Sequence, residues 1–339
     1  MKRFDLFAED ALYGAEGFYT QLGTAGTDGG DFVTSPETSP LFGACVAAYL
    51  DQVWHDMECP DPFVVIEGGS GTGTLCRDIF LSAQDCSDAL RYVMVERSDR
   101  QREIGFSRVT TTCFADSEEV PFAALKELPA GPVTGVVVAN ELLDNLPPRI
   151  VRKAATGWLE LYVEDDAEVW HPAPQPAEDM ASAVAPNASI GATLPLHLKG
   201  AVWVNRAMKL LDRGRILTFD YGVESSEMFN DRPLGEWLRT YKGHRRAGAP
   251  YSDPGTSDIT CDVAFDQLPG SPTICLQSDW LASKGLATMT EWAQEKWEDS
   301  AASPDSTAVA ARQVLAEAAA LTDRNGLGGF LVAEWQISD

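Results

Sequence analysis

The sequence predicts an α/β protein built on a doubly wound, mostly parallel seven-stranded sheet that carries a smaller accessory lobe. Three observations lead there. Short apolar runs alternate with stretches of helical spacing between residues 63 and 139. Two of those runs stop on an acid, at Glu67 and Glu96. The first run turns into its helix through a glycine-rich peptide, Glu67-Gly68-Gly69-Ser70-Gly71-Thr72-Gly73. Repeated strand–helix units of this length place parallel strands side by side with helices on both faces. A chain of 339 residues suits one large elaborated domain or two domains.

The elements follow in order. Residues 23–31, GTAGTDGGD, read as a glycine-rich loop. Leu41–Trp54 has the spacing of an amphipathic helix, and Pro40 suits its first position. Phe63–Ile66 is a buried strand, and Thr74–Ser82 has helical spacing. Tyr92–Val95 is a second strand. Ser98 caps a helix that runs to about Gly105. Val109–Cys113 is read as a third strand and Pro121–Leu128 as a short helix. Val133–Ala139 is the clearest buried strand. Ile150–Lys153 and Trp158–Val163 alternate like a hairpin turning at Ala155-Thr156-Gly157. Residues 164–196, rich in Ala, Pro, Asp and Glu without a strong period, read as an insertion or a mobile cap. Leu198–Leu211 is a helix and Arg215–Phe219 a strand. Thr273–Gln277 and Phe330–Ala333 are the last two strands, with helices at Trp280–Lys284 and Ala308–Leu321 between them. Trp54, Trp158, Trp203 and Trp280 fall in regular elements and are expected in the core.

Composition limits the function. Acids outnumber basic residues 51 to 26, a formal charge of −25. A field of that sign aids solubility, repels nucleic acid and anionic membrane, and favours cationic partners. The seven cysteines form no CxxC pair, and no two of the four histidines sit at metal-ligand spacing. Reduced thiols and no metal are therefore expected. No stretch approaches the ~20 apolar residues of a membrane span. The opening MKRFDLFAEDALYG lacks the pattern of a secretory or transit peptide, so a soluble, cytoplasmic protein is expected.

The glycine peptide admits three chemical readings. A phosphate-binding P-loop needs a Lys after the glycines, and there is none. A dinucleotide loop needs GxGxxG, whereas Gly69, Gly71 and Gly73 are spaced GxGxG. The pattern ExGxGxG of S-adenosylmethionine (SAM) loops is met at every fixed position. Glu67 can then take the amino group of the ligand, directly or through water. Glu96 lies 29 residues on, at the same sheet edge, where a carboxylate can accept both ribose hydroxyls. Nicotinamide folds share that geometry. Asn140, Glu141 and Asp144 come directly off the Val133–Ala139 strand, where ligands of open α/β sheets sit; capping a turn is their structural alternative.

These residues, with GGDFVTSPETSPLFG (29–43), ANELLDNLP (139–147), FDYG (219–222), YKGH (241–244) and DPGTSDIT (253–260), resemble the MidA-type SAM-dependent methyltransferases. The likeness runs from about Ala11 to the last strand, and is weak over 164–196 and 286–320. That family includes a mitochondrial complex I assembly factor that methylates a protein arginine. The resemblance implies a Rossmann-like class I methyltransferase fold. It implies an N-terminal segment, 1–62, covering the cofactor site, a SAM-binding core of 63–154 and 198–339, and an accessory lobe or cap inserted at 155–197. It implies that Thr34, Pro36, Glu37, Glu67, Gly69, Gly71, Gly73, Glu96 and Asn140 hold SAM. Glu141, Asp144 and His244 would be catalytic, and Tyr221 and Asp258 would complete the acceptor pocket. Where the family commonly reads Tyr-Arg-Arg-His, this chain has Tyr241-Lys242-Gly243-His244.

Methyl transfer from a sulfonium is an in-line displacement, and alignment alone can supply ~7–11 kcal/mol. A guanidinium acceptor calls for carboxylates that bind its fork, and Glu141 and Asp144 are of the right type. For a hydroxyl or amine acceptor, His244 is the more natural general base. Asp258 could equally cap a helix beginning near Ile259, and Tyr221 could be a packed aromatic. The leading expectation is a SAM-dependent methyltransferase acting on a protein arginine. A small-metabolite acceptor, a non-catalytic assembly or binding protein that keeps a SAM pocket, and a nicotinamide dehydrogenase are the alternatives.

Overall fold

The computed structural model describes residues 1–21, 34–82, 84–243, 245–300 and 305–338. The glycine-rich loop 23–31 and His244 lie outside the described residues.

Seven strands form the central sheet: β1 (Phe63–Gly68), β2 (Leu90–Val95), β3 (Phe122–Leu125), β4 (Val133–Asn140), β5 (Leu211–Asp220), β6 (Thr273–Leu276) and β7 (Leu331–Ile337). Their spatial order is β6-β7-β5-β4-β1-β2-β3. β5, β4, β1, β2 and β3 pair in parallel, and β7 runs antiparallel to both β5 and β6. The valine run of β4 is buried on both faces, as a central parallel strand must be. Val136 and Val138 enter one apolar cluster, with Phe42, Leu50 and Leu217, while Val137 enters another, with Ile66, Val204 and Ile216. Full burial of each such side chain is worth about 1.5–3 kcal/mol.

Helix Pro40–Asp56 starts with proline inside its first turn, and the Ser39 side chain accepts from Leu41 N. Helix Asp99–Cys113 is capped by Ser98, whose side chain accepts from Gln101 N. That helix runs on through Val109–Cys113, so the expected third strand is wrong. Thr110 and Thr111 donate their hydroxyls to the carbonyls of Phe106 and Ser107, both at 2.8 Å, which accommodates threonine in helical backbone. The missing strand is β3, in the segment expected to be a short helix. It pairs Phe122–Leu125 with Tyr92–Val95, and the open edge of β2 outweighs the helical leaning of Ala-Ala-Leu.

The stretch 164–196 is regular, against expectation. Strand Ala167–Pro172, helix Gln175–Val184 and strand Thr193–Leu196 succeed one another. The helix buries only Ala177 and Ala181, too small an apolar face to mark a period. With Arg149–Lys153 and Trp158–Glu164, which pair antiparallel as the hairpin expected, these strands make a second sheet that Lys2–Arg3 also joins. Its apolar cluster draws Phe4, Leu12, Trp158, Leu194, Trp237 and Ile259 from distant parts of the chain. A third small sheet pairs Leu238–Lys242 with Asp258–Cys261 and Arg245–Arg246. Of the tryptophans expected in the core, Trp158 and Trp280 are buried, while Trp54 and Trp203 are half-buried. No helix among the described residues is long and apolar enough to cross a membrane.

At Gly135 the central strands approach so closely that no other residue fits. Its φ is 153°, and a methyl group there would lie 1.9 Å from the Val64 carbonyl oxygen. Gly135→Ala must push β4 from β1, and a loss of about 3 kcal/mol in urea unfolding is expected.

Candidate active site

Ligand crevices in open α/β sheets form where the strand order reverses. Here that point lies between β1 and β4. A cavity of about 470 Å³ opens at their carboxyl ends, within the range for small-molecule sites. One half is built on the ends of β1 and β2, the other on the turn after β4 and the third sheet.

In the first half, the glycine peptide leaves β1 with Gly69 at φ 68° and Gly71 at φ 50°. Both line the cavity, as do Glu67, Glu96 and Asn140. A β-carbon on Gly71 would meet only the Gln101 amide oxygen, at 3.5 Å, so a side chain there would fill the crevice. Gly73 does not line the cavity. It precedes helix Thr74–Leu81 in left-handed backbone, and a β-carbon would press on Gly105 at 3.1 Å. Its place is set by helix packing.

Glu96 fixes the loop as well as lining the site. Its two oxygens accept from Gly71 N at 3.0 Å and Ser98 N at 2.8 Å, and each keeps a lone pair. Burial raises its pKa in spite of those bonds. Glu67 is 4% exposed, and Tyr92 OH donates to it at 2.9 Å. Burial, helped by the charge of Glu96, raises it to about 8. Thr34, Pro36 and Glu37 close this half from the N-terminal side. Glu37 accepts from the Thr74 hydroxyl and lies 3.8 Å from Arg108.

The second half is a group of buried acids. Glu141 stands at φ 50°, a left-handed conformation rare for a residue with a side chain, and donates its N–H to Phe219 O at 2.8 Å. Asp144 accepts from Tyr221 OH, and from Asn145 Nδ2 at 3.0 Å, through one oxygen; Oδ1, also buried, has no partner. Asp258 accepts from Tyr19 OH at 2.9 Å, and its buried Oδ2 is likewise unpartnered. Asp258 sits in a strand opposite Tyr241, so it caps no helix; cross-strand pairing aims it into the cavity. Burial, with the charge of Asp144, raises Glu141 and Asp258 each to about 8. Asp144 is raised by burial to about 6, held down by the Tyr221 and Asn145 bonds.

Four contributors were not singled out in the sequence. Asp220, fully buried at the end of β5, accepts from Leu143 N at 2.9 Å, Asp144 N at 3.2 Å and Tyr221 N at 3.0 Å. It pins the 141–145 turn and Tyr221 in one geometry. The signal was present in FDYG, where an acid interrupts a buried run. Tyr13 and Tyr19 enter from the N-terminal helices, stacked at 5.4 Å. Arg239 lies 4.8 Å over the Tyr221 ring and pairs with Asp262 at 2.5 Å. Neither the tyrosines nor Arg239 carries a local motif. His244, the expected general base, lies outside the described residues. No group of metal-ligating side chains occurs among the described residues, and the seven cysteines are free.

The residues present fit SAM: a glycine cradle open to the cavity, a ribose-ready carboxylate at the end of β2, and a buried carboxylate for an ammonium. A profile described as "Putative S-adenosyl-L-methionine-dependent methyltransferase" matches residues 45–278. The chain belongs to that methyltransferase family. A structure from Burkholderia thailandensis bound to S-adenosyl-homocysteine superposes on this chain with a TM-score of 0.81 at 25% identity, covering 98% of this chain and 87% of that one. A native structure from the same organism gives 0.80 at 26% identity, with the same coverage. The protein arginine methyltransferase NDUFAF7 homolog, mitochondrial, of Drosophila melanogaster is 26% identical over 279 residues, 74% of this chain and 61% of that protein. Human protein arginine methyltransferase NDUFAF7, mitochondrial, is 24% identical over 294 residues, 75% of this chain and 61% of that protein. The chain thus spans about three-fifths of the length of these relatives.

The raised acids carry a pH signature. A carboxyl whose folded pKa lies above its unfolded value, about 4.3 for Glu and 3.9 for Asp, stabilises most below the unfolded pKa. That stability is lost as pH rises through the folded value, here about 8. Glu141→Gln and Asp258→Asn mimic the protonated form. Each should narrow the fall in Tm between pH 5 and pH 8.5, measured without ligand. An unchanged fall would show these acids are not raised.

Proposed function

We propose that this chain transfers a methyl group from SAM to an arginine guanidinium of a protein. The observation that carries the reading is the pair of buried, unpartnered carboxylate oxygens, Asp144 Oδ1 and Asp258 Oδ2, lining one cavity with the glycine cradle. A guanidinium supplies five N–H donors in a planar fork and a permanent positive charge. A neutral acceptor could bond these oxygens but would not supply the positive charge that offsets their burial.

SAM, when bound, supplies an electrophilic methyl on its sulfonium. Glu67 would hold the amino group, and the free lone pairs of Glu96 the ribose hydroxyls. Asp144 and Asp258 would orient the guanidinium and localise its charge on the far nitrogens. The attacking nitrogen must lose a proton, and Asp144 Oδ1 is placed to take it. With a pKa raised to about 6, Asp144 is a better base than an exposed carboxylate. Tyr221, through Oδ2, and Asp220, through the Asp144 backbone N–H, hold that carboxylate in position. Tyr13, stacked on Tyr19 and covered by Arg97 at 4.3 Å, would form the wall of the pocket with Tyr19. The arginine methyltransferase names of the relatives support this acceptor.

Methyl-labelled SAM incubated with the protein and a cell lysate should label proteins at arginine. Label confined to small molecules would favour a metabolite acceptor. Calorimetry should show SAM binding and none of NAD; the reverse would end this reading. Asp144→Ala should retain SAM affinity and lose about 100-fold or more in kcat. Glu67→Ala or Gly71→Val should abolish SAM binding, and normal binding by either would mean the cradle is misplaced.

A further inference from the structure

A short hairpin beside the acceptor half carries charge opposite to that of the chain as a whole. Strand Leu238–Lys242 pairs antiparallel with Arg245–Arg246, Tyr241 opposite Arg246 and Lys242 opposite Arg245. Arg239 and Tyr241, alternate residues of that strand, line the cavity, so Lys242, the next residue along it, follows directly on the cavity wall. Directly opposite residues share a face, which puts Arg246 on the Tyr241 side.

Lys242, Arg245 and Arg246 are all exposed. Among the described residues none of the three forms an ion pair; Arg246 donates to the Gly235 carbonyl alone. Elsewhere among the described residues some exposed cations meet carboxylates, as Arg97 meets Glu9 and Arg324 meets Asp279, and others stand singly. With acids outnumbering bases 51 to 26, a group of unpaired cations is unexpected. Lys242 facing Arg245 is also a like-charge cross-strand pair, which destabilises a hairpin. Among the described residues no carboxylate pairs with this arrangement, and an anion seated on it would relieve both costs.

We propose that Lys242, Arg245 and Arg246 dock an acidic segment of the methyl acceptor, next to the arginine that enters the cavity. This rests on the arginine reading above and names the sequence context of its substrate. A long polyanion such as RNA is disfavoured by the net charge of −25. A few carboxylates held at the tip feel mainly these three cations, because more distant charges are screened beyond about 8 Å at physiological salt.

Two peptides decide it, each with one central arginine, flanked by Asp and Glu in one and by Ser and Gly in the other. The acidic peptide should show a kcat/KM about tenfold higher, through KM, and the advantage should vanish in high salt. Lys242→Glu with Arg245→Glu should reverse the preference, and Lys242→Ala with Arg245→Ala should flatten it. SAM calorimetry checks that each variant is folded. Equal use of the peptides, or an unchanged ratio in both variants, overturns the proposal. So does tighter binding of single-stranded RNA than of the acidic peptide, by fluorescence anisotropy. Anisotropy with an acidic peptide whose arginine is replaced by alanine keeps docking separate from transfer. If that peptide binds and nothing is methylated, the arginine reading fails and the docking surface stands.

Discussion

Buried carboxyl groups with no cation paired to them govern the architecture of this site. Asp144, Asp220 and Asp258 are each at most 3% exposed, and Glu141 lies recessed beside them. Placing carboxylates in a crevice costs several kcal/mol per ion unless charge or hydrogen bonds offset it. The fold offsets part of that cost with N–H groups on Asp220 and phenol hydroxyls on Asp144 and Asp258. The nearest guanidinium, Arg239, is directed to Asp262. What is left is a cavity whose electrostatic deficit a cation fills. Binding a cation would return the raised acids to their ionised form, so ligand affinity and protonation are linked in one group of side chains.

The sheet makes this arrangement possible. Reversal of strand order between β4 and β1 opens the crevice, and the parallel strands deliver Glu67, Glu96 and Asn140 to one edge. The antiparallel β7, inserted between β5 and β6, departs from the all-parallel 3-2-1-4-5-6 order of dinucleotide folds. The cofactor and acceptor halves also touch directly. Ser98 donates N–H to Glu96 and its hydroxyl to Tyr19 O at 2.9 Å, while the Tyr19 phenol holds Asp258. A residue bonded to Glu96 therefore supports the cavity wall that carries Asp258.

Local chemistry was legible wherever it was written in consecutive residues. Gly69 and Gly71 in left-handed backbone, Ser98 as a cap, Pro40 in a first turn and the valines of β4 each obey a rule that acts within a few residues. Val109–Cys113 and Phe122–Leu125 were exchanged in role because their propensities are weak. Helix packing against Gly73 decided the first and the open edge of β2 the second. Likewise Ala177 and Ala181 make a helix face too faint to read, yet they pack beneath a sheet.

By itself the sequence determined the strand–helix alternation, the cradle and the carboxylates at strand ends, since backbone sterics and hydrophobic period act locally. Only the tertiary structure decided which residues complete the acid-lined half of the cavity. Tyr19 meets Asp258 across 239 positions, and Tyr221 meets Asp144 across 77. Such contacts depend on how whole elements pack, and no nearby residue encodes them.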